Sequence, residues 1–155
     1  MSETESSQYD SVLIAEYLLA LAYSKNKVLN ITKVQKFLYM AYGFFLSDKN
    51  RVLISEQPKV WPYGPVFPKT REKVSYSDII SIDDPKFSEI KKDNEVTDFF
   101  NHLIDNYSKY SASQLSEWSH SEDSPWDLMT KQKGFNWNAE IDDKLIKDYF
   151  STIKF

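Results

Sequence analysis

Cysteine is absent from the 155 residues, which removes disulfides, thiolate metal ligands and cysteine nucleophiles together. Glycine is nearly as scarce, at three residues, so the chain has little material for a phosphate-cradling loop. None of the spacings GxGxxG, GxxxxGK[ST] or GxSxG occurs. With two histidines and no thiol, any zinc site would have to draw most of its three or four ligands from carboxylates. No apolar run reaches the roughly 20 residues of a membrane-spanning helix, and the acidic start MSETESSQYD is the opposite of a signal peptide. A cytoplasmic protein with no membrane partner and no cofactor is expected.

Aromatic residues, by contrast, are abundant: ten Phe, ten Tyr and four Trp. A chain with this much apolar surface can build a core, and its length suits one domain. The net charge of −4 is unevenly spread. Residues 25–73 carry ten Lys/Arg against Asp48, Glu56 and Glu72, whereas residues 81–155 carry nine against fifteen Asp/Glu. Either a partner surface or ordinary solvated helix faces would give such counts. The acidic balance and the lack of a helix-turn-helix spacing argue against nucleic acid as a partner.

Residues 1–9 are expected to be a flexible leader, with the domain running from 10 to 155. The run SVLIAEYLLALAY after Asp10 is apolar almost all round, and so is KVQKFLYMAYGFFL, opened by an apparent T-x-x-Q capping box at Thr32 and Gln35. The short link between them predicts a buried central helical hairpin. Gly43 inside the second helix implies close approach of a neighbour. Val52–Ile54 and Lys59–Trp61 give the strand signal, a minor β-hairpin near 52–61, followed by a WPYG turn and Pro68 as a first helical residue. Prolines 62, 65 and 68 also spell a polyproline ligand pattern. Residues 75–92 read as a loop. Three further helices follow: an apolar stripe from Val96 to Tyr107, then QLSEWSH capped by Ser111 or Ser113, then a last one behind Asp142. Ser124, Pro125 and Asp127 repeat the chemistry of a helix start. The fold class is therefore mainly α, one compact domain of five to seven helices.

The cluster Glu117, His120, Glu122 and Asp123 raises the question of a histidine- or metal-dependent hydrolase. The plainer reading of His120 is a helix-terminal histidine, favourable against the dipole. His102, beside Phe99 and Leu103, reads as a surface or half-buried residue. Trp118 and Trp126 are core plugs or interface anchors.

Three segments, KVQKFLYMAYGFFL (33–46), VWPYGPVFP (60–68) and LSEWSHSEDSPW (115–126), resemble in order the motifs of the Panacea domain, the SocA-like antitoxin family. Phe37, Tyr42 and Phe67 depart from the usual pattern. The resemblance implies a mainly helical, non-enzymatic antitoxin from a bacterium or phage. Its partner would be a cognate protein toxin, with a Clp-type protease as a further partner if the protein is also a proteolytic adaptor. It implies that Gly43, Gly64, Pro65, His120, Pro125 and Trp126 are structural. Trp61, Tyr63, Arg71 and Trp118 are the expected partner-binding residues.

Overall fold

The structure, a computed structural model, describes residues 8–78 and 80–155. Among them are eight α-helices and one two-stranded antiparallel sheet: α1 (Ser11–Ser24), α2 (Ile31–Asp48), β1 (Lys59–Trp61), β2 (Gly64–Val66), α3 (Pro68–Lys73), α4 (Ser88–Lys91), α5 (Asn94–Tyr107), α6 (Ala112–Ser119), α7 (Pro125–Thr130) and α8 (Asp143–Phe150). No helix among the described residues is long and apolar enough to cross a membrane.

Helix starts follow local capping chemistry. Asp10 accepts from the amides of Val12 and Leu13, and Asn30 from that of Lys33. Ser111 and Gln114 form a reciprocal capping box, and Ser124 and Asp142 cap α7 and α8. Each satisfies amides that the first turn leaves without a partner. The capping box expected at Thr32 and Gln35 does not form: Asn30 takes the cap, and Gln35 is buried and bonded elsewhere.

Both α1 and α2 bury most of their circumference, as their all-round apolar sequence requires. They touch each other, but α2 leans most on α8. At that contact Gly43 faces Phe150, whose ring occupies the space a Cβ would need. Phe150 also meets Tyr39 edge-on with centroids 5.3 Å apart. The dry core continues through Phe44 stacked on Phe99 at 4.1 Å and into α5, which buries Val96, Phe99, Phe100, Leu103 and Ile104 along its stripe.

Three expectations are corrected. The strand Lys59–Trp61 forms, but its partner across the turn is Gly64–Val66; Ile54 makes only an isolated bridge to Tyr9. The stretch 75–92 is not all loop, because Asp84 caps a 3-10 turn at Pro85–Phe87 that runs into α4, burying Phe87 and Ile90. Of the expected leader, residues 1–7 lie outside the described residues, whereas Tyr9 is tied in. Its backbone pairs with Leu53 and Ser55, and its hydroxyl donates to Asp93 at 2.8 Å. Asp93 also takes the buried Arg51 guanidinium at 2.6 Å.

Candidate functional site

The β-hairpin is too short to stand alone, since two strands of three residues are marginal in water. Side chains from two distant segments fasten it. From α2, Gln35 grips the backbone of Phe67 twice: Oε1 accepts from its amide at 2.7 Å and Nε2 donates to its carbonyl at 3.4 Å. The side chain thus imitates a neighbouring strand. Lys36, one residue on, sends its ammonium to the carbonyls of Tyr63 at 3.3 Å and Pro65 at 3.2 Å. From α7, the Trp126 indole donates to the Trp61 carbonyl at 2.7 Å. On the outer edge of β1, Val60 exchanges backbone bonds with Ala139 and Asn138.

Gly64 is the point where these segments meet. Its φ of +118° is closed to most L-residues, and a Cβ there would lie 2.7 Å from both Lys36 Nζ and Ser119 Oγ and 3.2 Å from His120 Nε2. His120 closes the C-terminus of α6 through its backbone amide, and its ring packs on Trp126 with centroids 4.4 Å apart. Burial, then the nearby Lys36 charge, push the imidazole below its usual range, opposed by the Tyr63 carbonyl. No well-formed hydrogen bond reaches Nε2. At the end of α6 the His120 ring thus lies half-buried against Trp126, where burial disfavours its charged form. Lys36 is only 3% exposed, and burial lowers its pKa to about 8.

The outer face of the same corner holds three of the four expected contact residues. Tyr63, at the hairpin tip, is 79% exposed. The Arg71 guanidinium, from α3, lies over the Trp61 ring at 5.7 Å, within the range of a cation–π contact. Trp61 is further fixed by its indole donating to Asn138 at 2.9 Å. Between the hairpin, α2 and α6 runs a cleft of about 170 Å³ lined by Thr32, Lys36, Trp61, Tyr63, Arg71 and Ser116, among others.

Trp118 is elsewhere. Half-buried against Tyr39 and Phe150, it lines an apolar groove of about 310 Å³ with Met40, Tyr107, Leu115 and Phe155. Gly43, Gly64, Pro65 and Pro125 are all buried. Glu117, Glu122 and Asp123 are exposed, and among the described residues no three acidic or histidine side chains converge as metal ligands. His102 is half-buried, its Nδ1 against the Asn106 amide. Of the two α2 residues that fasten the hairpin, Gln35 is expected from sequence only as a capping residue and Lys36 has no expected role. The available signal was a pair of adjacent polar residues inside a helix apolar nearly all round.

The family described as antitoxin SocA-like, Panacea domain matches residues 34–127, from the first turn of α2 into α7. The chain belongs to this family. Among curated proteins, Antitoxin SocA of Caulobacter vibrioides (strain NA1000 / CB15N) is 31% identical over 160 residues, covering 91% of this chain and 82% of that protein. No solved structure matches this chain. The three Panacea motifs thus meet at one corner: the first supplies Gln35 and Lys36, the second the hairpin, and the third Ser119, His120 and Trp126.

Proposed function

We propose that this Panacea-domain protein is a non-enzymatic antitoxin that neutralises a cognate protein toxin in the cytoplasm by direct binding. Its contact face is the hairpin corner of Trp61, Tyr63 and Arg71. One observation carries the reading: an aromatic tip left 79% exposed on a hairpin that Gln35, Lys36 and Trp126 hold rigidly. Interfaces concentrate their energy in a few aromatic and arginine anchors, and a rigid scaffold lowers the entropy lost on binding. Trp118 is a second anchor in this reading, on the separate apolar groove.

The test is co-expression with the product of the adjacent gene. Rescue of growth arrest and co-purification of the two proteins are expected; a harmless, non-binding neighbour overturns the reading. Toxin half-life in the same cells, with and without a Clp-type protease, separates neutralisation by binding alone from proteolytic delivery. The adaptor branch requires a longer half-life without the protease.

A further inference from the structure

Buried lysines are ordinarily matched by a carboxylate. Lys36 is not. It makes no ion pair among the described residues, and its ammonium, which has three donors, holds two carbonyls at 3.3 and 3.2 Å. Arg71, at the rim of the same cleft, also makes no ion pair among the described residues and lies over the Trp61 ring. The cleft lining holds these two cations and no Asp or Glu. His120, facing Lys36 from the end of α6, adds no negative charge, and its Nε2 is itself buried without a partner.

The geometry points to a carboxylate-binding site in this cleft: a carboxylate presented by the partner protein inserts beside Trp61, pairs with Arg71 at the rim and reaches the Lys36 ammonium on the floor. The site rests on the toxin-binding reading for its physiological ligand, but not for its chemistry. The depressed pKa of Lys36 agrees with it, since an ammonium kept from water and from any anion gives up its proton early. An incoming carboxylate reverses both conditions and raises that pKa. The cleft volume of about 170 Å³ suits one acidic side chain or a chain terminus rather than a large ligand.

Small probes test this on the full chain without a toxin. N-acetylglutamate α-amide carries a side-chain carboxylate, N-acetylalanine an α-carboxylate, and N-acetylglutamine α-amide is the neutral isostere. Each is titrated to roughly 50 mM, since an isolated ion pair of this kind binds in the millimolar range. The Gly64 amide and the Lys36 ε-carbon are followed by NMR. At least one carboxylate is expected to shift both signals and raise the Lys36 titration midpoint by about one unit, and the stronger of the two identifies the source. The isostere should do neither. Lys36→Met should abolish the Gly64 response, and Arg71→Gln, which removes the rim cation and its contact with the Trp61 ring, should weaken the response several-fold. Silence of both signals toward both carboxylates, an equal response to the isostere, or a response unchanged in Arg71→Gln overturns the site. If the carboxylates bind but no neighbouring gene product is neutralised, the site stands and the antitoxin reading falls. If neutralisation is found without carboxylate binding, the reverse holds.

Discussion

One helix serves two regions built on opposite principles. The C-terminal half of α2 meets α8 through Gly43, Tyr39 and Phe150, a dry contact of rings against backbone. One to two turns earlier, Gln35 and Lys36 turn polar groups inward and hold an eight-residue hairpin by its backbone. The first region is fixed by shape and fails when volume is added. The second is fixed by directed bonds around one buried charge, and it fails when a partner is removed. An apolar core tolerates conservative exchange; a half-satisfied polar network is costly.

The largest effect is expected in the dry region. Gly43→Leu should destabilise the protein by about 3 kcal/mol or more, because even the first added carbon falls within the Phe150 ring. Thermal or urea unfolding measures it. An unchanged melting temperature would mean that α8 can swing away from α2, and the contrast between rigid shape and directed bonding would fail.

The next effect belongs to the charge. In the folded protein the Lys36 pKa is depressed to about 8 from 10.5, so the unfolded state binds the proton more tightly. The cost of burying the ammonium is fully present below pH 8 and is relieved as pH rises from 8 towards 10.5. At about 1.36 kcal/mol per pH unit, wild type should gain about 2–3 kcal/mol relative to Lys36→Met between pH 7 and 10. Phenols such as Tyr9, raised to about 12, act in the opposite sense above pH 10 and set the upper limit of the window. Parallel stability curves for the two proteins would show that Lys36 is solvated.

Much of this was legible in the sequence. The all-round apolar runs gave α1 and α2, the stripe from Val96 gave α5, and Ser111, Ser124 and Asp142 mark helix starts by chemistry that acts within four residues. Gly43 announced a close approach without saying of what, because Phe150 lies more than a hundred positions away. Periodicity could not show the partner of Lys59–Trp61, since GPV carries no strand signature and pairs only because Gln35, Lys36 and Trp126 hold it. The inward direction of Gln35 and Lys36 is likewise a tertiary fact. Local propensity made Gln35 a capping residue; the hairpin backbone was the stronger claimant.

Two substitutions of intermediate size sharpen the polar side of the comparison. Gly64→Ala should cost about 2 kcal/mol, combining a disfavoured φ with crowding of Ser119 Oγ, which is buried and has little room to yield. Trp126→Ala should cost about as much, because it leaves the Trp61 carbonyl without its donor and empties the space beside His120. If either variant melts like wild type, the hairpin is not held in the way described.

The smallest effect on stability is expected at the tip that these bonds support. Tyr63 is 79% exposed, and its side chain makes no hydrogen bond or ring contact among the described residues. Substitutions at such positions usually move stability by less than about 0.5 kcal/mol. Tyr63→Ala should therefore melt within a degree or two of wild type, while its neutralisation of the toxin falls by an amount corresponding to an interface anchor, about 2 kcal/mol or roughly thirtyfold in affinity. The two readouts must be taken on the same preparation, since either alone admits a trivial cause. A Tyr63→Ala protein that unfolds would make the tip part of the scaffold. One that stays folded and neutralises fully would leave the corner a rigid structure with the toxin bound elsewhere, and the apolar groove at Trp118 would become the face to test.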